Sequence, residues 1–234
     1  HLGGQELKRM ARKVVLFIVE GPSDEDALGT IFSKLYHPDY VHVEVYRGDI
    51  TSEKSTEPSN VLDKIGNIVR AVAQKRRLKR SDFKKVVHIV DLDGAYIPDE
   101  AIIDSPTQGA IRYTTEQIFT HNKWAICERN ERKQRNLNKL SKSTEVWHNI
   151  PYHVYYMSAN LDHVLYDRLN SSEKEKKKNA FAFSEYYSQH LALFKEYMCH
   201  SEFSVRGEYH ATWEFIKVNT RSLERHCNLC SLIK

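Results

Sequence analysis

The sequence predicts an α/β protein: a mainly parallel sheet flanked by helices, followed by a helical C-terminal subdomain. Two observations carry this. Continuous apolar runs, Val14-Val15-Leu16-Phe17-Ile18-Val19 and Phe83–Val90 (FKKVVHIV), read as strands buried on both faces. Helix-period segments alternate with them in the order strand, helix, strand, helix, strand, the pattern of crossover-connected parallel strands.

The first run is broken by Gly21-Pro22-Ser23. Ser23 is expected to cap a helix whose first turn holds Asp24, Glu25 and Asp26, where carboxylates favour the helix dipole. Ala27, Leu28, Ile31, Phe32 and Leu35 recur at helical spacing behind them. Val41, Val43 and Val45 alternate as a second strand. After a polar segment over 47–57, Pro58-Ser59-Asn60 opens a helix bearing Val61, Leu62, Ile65, Ile68, Val69 and Val72. The third strand ends in Asp91-Leu92-Asp93-Gly94. Residues 95–113 read as loop, and 114–121 and 128–140 as helices. YHVYYM (152–157) is a fourth strand, and Asn160 caps the helix LDHVLYDRL. From 171 to 225 the pattern is mostly helical, and its aromatics, including Phe183, Phe194 and Trp213, fit a helical core better than a base-stacking platform.

The 234 residues suffice for one large domain, or a core domain with an appendage. A hydrophobic content of 41% with 28% charged residues suits a soluble globular chain. No apolar run nears the roughly 20 residues of a membrane span, and the first residues lack a signal-peptide core, so a cytoplasmic location is expected. Residues 1–9 are set aside from the fold. Four cysteines point to a reducing compartment without a disulfide framework. His226-Cys227-x-x-Cys230, with Cys199-His200 upstream, leaves open a zinc site or ordinary thiols; a second strong ligand pair at standard spacing is missing.

Net charge is +4, but its distribution says more. Residues 70–85 hold eight Lys/Arg against one Asp, and residues 129–142 hold six against one Glu. From these blocks Lys75, Arg76, Arg77, Lys79, Arg80, Arg132, Lys133 and Arg135 are candidates for nucleic-acid phosphates, or else solvated helix faces.

Right-handed crossovers bring the carboxyl ends of the strands to one edge, where open α/β sheets bind ligands. Glu20 follows the first strand, Asp91 and Asp93 the third, and Ser158, Asn160 and Asp162 the fourth. Clustered carboxylates suit a hard cation such as Mg²⁺ or Mn²⁺, which would relieve their repulsion. Helix capping and turn hydrogen bonds are the plainer reading of the same residues.

A hydrophobic strand followed by Glu20-Gly21-Pro22-Ser23-Asp24 and a helix, and a later hydrophobic strand followed by Asp91-Leu92-Asp93-Gly94, resembles the Toprim domain of topoisomerases, bacterial primases and OLD-type nucleases. The resemblance spans about residues 13–160. It implies a Toprim-like catalytic domain over 10–165 and a helical extension over 166–234. It further implies metal positions at Glu20 and Asp24 and at Asp91 and Asp93, and two-metal phosphodiester hydrolysis with Mg²⁺ or Mn²⁺ as cofactor. Catalysis falls to Glu20, Asp91 and Asp93, with Glu20 a metal ligand or a general acid/base. SANLDHVLYD is similar to a further polar motif of such nucleases, which adds Asp162 as a ligand and His163 as a contributor.

The chain is too short for a topoisomerase and lacks primase zinc elements, so a primase-like nucleotidyl transferase ranks last. The OLD-like nucleases of anti-phage defence remain. Their substrate here would be DNA or structured RNA such as tRNA. With no G-x-x-x-x-G-K-[ST] in the chain, a separate ABC/SMC-like ATPase would supply any ATP step. A non-catalytic or regulatory subunit working through that ATPase is the alternative, and a homo-oligomer is compatible with either.

Overall fold

The computed structural model describes residues 13–37, 39–46 and 48–233. The readings of residues 1–12, including a domain start at residue 10, lie outside the described residues. The elements in chain order are β1 (Val14–Val19), α1 (Pro22–Leu35), β2 (Tyr40–Val45), α2 (Val61–Arg76), β3 (Phe83–Asp91), β4 (Ile102–Asp104), β5 (Arg112–Tyr113), β6 (Ile118–Thr120), α3 (Lys123–Leu140), β7 (Glu145–Val146), β8 (Ile150–Met157), α4 (Leu161–Tyr166), α5 (Glu173–Gln189), α6 (Leu191–His200), α7 (Tyr209–Ile216) and α8 (Cys230–Ile233).

The main sheet has the order β2-β1-β3-β8-β7. The pairs β1/β2, β1/β3 and β3/β8 are parallel, and the two-residue β7 is antiparallel to β8. The mainly parallel α/β sheet expected from the buried runs is therefore present. Alternate side chains of each central strand enter opposite layers. Val15, Phe17 and Val19 join Val87, Ile89, Tyr155 and Met157 under α1, α5 and α6. Val14, Leu16 and Ile18 join Val86, Val90, Tyr152, Val154 and Tyr156 under α2, α3 and α7. A strand covered on both faces has no use for polar positions, which is why β1 reads as an unbroken apolar run. β2 alternates instead because it is an edge strand and only half-buried.

The segment after residue 166 is not set apart from the sheet. Phe194, Met198, Cys227 and Leu229 share one apolar cluster with Phe17 and Val87. Residues 222–228 bond to the end of β8: the amides of Ser158 and Ala159 donate to the carbonyls of His226 (2.9 Å) and Ser222 (2.8 Å). The Tyr156 amide donates to Asn228 Oδ1 at 2.9 Å.

Four local expectations are corrected. Ser23 does not cap α1: the N-cap is Gly21, Pro22 takes the first turn, and Asp24 Oδ2 accepts from the Gly21 amide at 2.9 Å. Residues 114–121 form a β-turn and strand, not a helix. Thr114 Oγ1 accepts from the Glu116 and Gln117 amides, which closes a turn between β5 and β6. α3 starts five residues earlier than its apolar period suggests, because Asn122 Oδ1 caps it through the Ala125 amide at 3.0 Å. The last long helix stops at Ile216: Asn219 has φ of 54°, and Arg221 Nη1 donates to the Phe215 carbonyl at 3.1 Å.

β4, β6 and β5 form a second small sheet beyond the carboxyl end of β3, with Ile97, Ile102, Ile118, Ile126 and Leu223 as its own apolar cluster. Among the described residues no helix is long and apolar enough to cross a membrane.

Candidate active site

In the order 2-1-3-8 the chain leaves β1 to one side for β2 and to the other for β3. Such a switch point opens a crevice at the carboxyl ends of the two strands. Glu20 is the residue after β1 and Asp91 the last of β3. They meet there: the Asp91 amide donates to Glu20 Oε1 at 3.3 Å, across 71 residues of sequence.

The D-x-D-G turn follows from its surroundings. Leu92 is buried in the layer under α2 and α3, so Asp91, the last residue of β3, falls on the opposite side, whereas the Asp93 carboxylate turns toward α3. The Leu92 and Asp93 amides donate to the Met157 and Ala159 carbonyls at 2.9 and 2.8 Å. Asp93 has φ of 49° and Gly94 φ of 70°. A Cβ on Gly94 would stand 2.5 Å from Leu223 Cδ2 and 3.1 Å from Ile118 Cδ1, so only glycine fits.

α3 holds this turn. Arg129 Nη2 donates to the Asp93 carbonyl at 2.9 Å, Asn130 Nδ2 to that of Gly94 at 3.3 Å, and Gln134 Nε2 to that of Ala95 at 2.6 Å. Lys133 Nζ lies 2.7 Å from Asp93 Oδ2 and 2.7 Å from Asp49 Oδ2. Arg132 Nη1 reaches the Ser52 carbonyl, and Asn136 Nδ2 those of Thr51 and Thr56. One helix thus pins the loop after β2 and the loop after β3 to each other.

This corrects the reading of the second basic block as a phosphate-binding surface. Lys133 is fully buried and Arg132 nearly so, both bonded inside the protein. Arg135 is at the surface, paired with Glu57 and Glu131 at 3.3 and 3.2 Å. The first block is displaced as well. Lys75, Arg76, Arg77, Lys79 and Arg80 are exposed, but at the amino ends of the strands. Arg76 Nη1 donates to the hydroxyl of Tyr40, where β2 begins, and Arg80 to the His148 and Asn149 carbonyls, just before β8. They lie about 25 Å, the length of β3, from the carboxylates. Among the described residues, neither basic block borders the acidic crevice with exposed cations.

Burial, then Asp49, Asp91 and Asp93, raise the Glu20 carboxyl well above its ordinary value against the pull of Lys133. Burial, then Asp24 and Asp93, do the same to Asp91. Asp24 is pushed up to about 6 by burial and Asp162, although the Gly21 amide lowers it. Burial opposes ionisation of Asp49 too, but Lys133 and hydrogen bonds from Ser52 and Thr51 hold that carboxyl well below its usual range. Lys133 stays protonated despite its burial because Asp49, Asp93 and Glu20 surround it. Five acids and one base are thus split into a neutralised part, Asp49–Lys133–Asp93, and an uncompensated part, Glu20, Asp24 and Asp91.

Asp162 belongs to the uncompensated side. It is buried, Oδ1 lacks a hydrogen-bond partner, and its carboxyl is raised by burial. Lys176 of α5 opposes that rise and also feels Asp91, so a partly exposed ammonium stands at the edge of the cluster. Asn160 caps α4 as expected, through the His163 amide at 2.9 Å. His163 is buried, and burial lowers its pKa to about 4, so it is a neutral ring inside the fold.

Among the described residues no three His, Cys, Asp or Glu side chains are grouped closely enough to hold a metal ion as they stand. The chemistry of the donors nevertheless fits a hard cation. Glu20, Asp24 and Asp91 offer carboxylate oxygens in a half-buried, mutually repelling set, and Asp162 adds a buried oxygen without a partner. Closure on an ion would take side-chain rotation. The cysteines are arranged otherwise than expected. Cys199 and Cys230 form a disulfide between α6 and α8, and Cys227 is buried and free, its sulfur accepting from the Leu229 amide. The proximity of α6 and α8 has no counterpart in cysteine spacing, so the pair was not legible.

Sequence reasoning missed Asp49, Arg129, Lys176 and the role of Lys133. Asp49 carried a usable signal: it lies four residues past β2, so the carboxylate-after-a-strand rule applies to it as it does to Glu20. The inward face of α3 carried none, since charged positions on a helix ordinarily read as solvated. No protein-family model, curated protein or solved structure matches the chain.

Proposed function

We propose that the chain is a Toprim-type nuclease, dependent on Mg²⁺ or Mn²⁺, that hydrolyses phosphodiesters in DNA or structured RNA such as tRNA. The observation that carries the reading is the meeting of Glu20 and Asp91 at the β1/β3 switch point, with Asp24 and Asp162 beside them. Glu20, Asp24 and Asp91, with Asp162, would hold the cation, and Asp93 completes the D-x-D motif. When bound, the cation supplies a lowered pKa for an attacking water and charge to offset the leaving oxygen.

The protein's own groups do the following. Glu20 serves as a ligand oxygen or, with its pKa raised by burial and the neighbouring carboxylates, as a general acid toward a leaving oxygen. Asp91 orients Glu20 through its amide. Arg129 and Lys133 fix the Asp93 turn. Lys176, partly exposed and paired with Glu173 at 3.0 Å, would exchange that partner for a phosphate. The amino-edge cations Lys75, Arg76, Arg77, Lys79 and Arg80 would hold nucleic acid only at a distance from the cleavage point. An anti-phage role with a separate ABC/SMC-like ATPase, and assembly into a homo-oligomer, belong to the same proposal and rest on the Toprim resemblance alone.

The test is cleavage of plasmid, single-stranded DNA and total tRNA with and without Mn²⁺. Glu20→Gln and Asp91→Asn are expected to lower cleavage by about 100-fold or more. Unchanged cleavage in both would discard the site. One observation favours a second reading, a regulatory subunit acting through a partner ATPase: Lys133 already occupies Asp93. That reading predicts no cleavage by the wild-type chain, alone or with the ATPase.

A further inference from the structure

The basic residue most deeply placed in the crevice is Lys133. Its side chain is fully buried, and its ammonium sits midway between two carboxylates at 2.7 Å each. The arrangement is built from several elements. Asp49 is oriented by the Thr51 amide at 2.9 Å and the Thr51 hydroxyl at 2.5 Å. Asp93 is fixed through its carbonyl by Arg129. Lys133 itself rides on α3, whose neighbours Arg132 and Asn136 anchor the loop carrying Asp49.

A divalent cation between Asp49 and Asp93 would seek the same oxygens and be repelled by the ammonium. On the other side of the crevice, among the described residues, Glu20, Asp24, Asp91 and Asp162 have no Lys, Arg or His partner in an ion pair. Asp162 Oδ1 is buried and unbonded there. The positive charge that a two-cation site would place at Asp93 is thus already supplied by the protein, while in the other half, among the described residues, no cation is paired to the carboxylates and Lys176 stands only at its edge.

We propose that Lys133 takes the place of the second cation, so that the chain binds one divalent cation, at Glu20, Asp24 and Asp91 with Asp162 flanking. This rests on the metal-site reading above and departs from the two-metal hydrolysis that the Toprim resemblance implies. Lys133 would be a positioning residue for Asp93 and a fixed charge beside the cation.

The experiment counts Mn²⁺ on the full chain by calorimetric titration and by the electron paramagnetic resonance signal of free Mn²⁺. The wild-type chain is expected to bind one Mn²⁺. Asp93→Asn should retain it with affinity within about threefold, whereas Asp91→Asn should weaken it about tenfold or more. Lys133→Met should open the Asp49/Asp93 pair to a second Mn²⁺. Two Mn²⁺ on the wild-type chain would overturn the inference while leaving the metal site standing, as would loss of binding in Asp93→Asn or a single Mn²⁺ on a folded Lys133→Met. No Mn²⁺ on the wild-type chain would overturn the metal-site reading and this inference with it. If Lys133→Met does not fold, the wild-type count and the Asp93→Asn comparison decide.

Discussion

Asp24 has two duties that one substitution separates. Its carboxylate accepts the Gly21 amide at the start of α1, and it faces Asp162 in the crevice. Asparagine keeps the acceptor and removes the charge. With its pKa raised to about 6 from 3.8, the folded chain binds more protons than the unfolded one between those values. Without a metal, Asp24 therefore costs stability as pH rises through that window, on the order of 3 kcal/mol by pH 7. Asp24→Asn is expected to stabilise the metal-free chain at pH 7 in urea unfolding and to weaken Mn²⁺ binding. His88 has the opposite slope. It is buried beside the Tyr152 hydroxyl at 3.0 Å, and burial lowers its pKa to about 4 from 6.5. There the unfolded chain binds the extra proton, so stability is lost as pH falls from about 6.5 toward about 4. The two slopes oppose each other in the wild type, and Asp24→Asn should expose the acid loss from His88.

Among the elements, the turn after β3 depends most on a single side chain's absence. Gly94→Ala would place a methyl against Leu223 in a backbone conformation with φ of 70°. A cost of about 3 kcal/mol is expected from strain and overpacking together. Leu223→Ala is costly by itself, but the double variant should lose less than the sum by about 1 kcal/mol or more, as a double-mutant cycle would measure. D-x-D-G was readable here because the strand before it is wholly apolar and the glycine obligatory. β1, α1, α2, β3 and β8 were readable for a similar reason, as each matches its period over a full length. α3 was read as a helix, but its polar face was misread: its sequence KWAICERNERKQRNLNKL is charged, and Arg132, Lys133 and Asn136 face the loops after β2 and β3. Period analysis sorts residues by polarity, and a polar helix face turned inward defeats it. Residues 114–121 failed because Thr114 acts through hydrogen bonds to its own loop, which periodicity does not register.

For the whole molecule, the crevice was half legible. Glu20 and Asp91 share an edge because crossover-connected parallel strands end on the same side, which sequence alternation already implies; that β1 and β3 are neighbours was not read from it. The electrostatic layout did not follow, since both basic blocks were assigned by composition, and composition does not tell the amino from the carboxyl edge of a sheet. The Cys199–Cys230 disulfide spans 31 residues and ties α6 to α8 on the face that covers α1. In the chain-entropy picture a loop of that size is worth about 4 kcal/mol. Replacing both cysteines with serine should lower the unfolding free energy by about that amount under oxidising conditions and by little in excess reductant.

The bonds from residues 222–228 to the end of β8 bear on when this protein becomes competent. The turn at Asp93 hangs from Ala159, Ala159 from Ser222, and Gly94 closes against Leu223. Domains begin folding from the amino end during synthesis. Glu20, Asp91 and Asp162 are all made early, yet the turn that sets Asp93 lacks its support until the ribosome has released residues 222–228. On the nuclease reading proposed above, the site would thus stay unassembled beside the messenger and transfer RNAs that are making the chain.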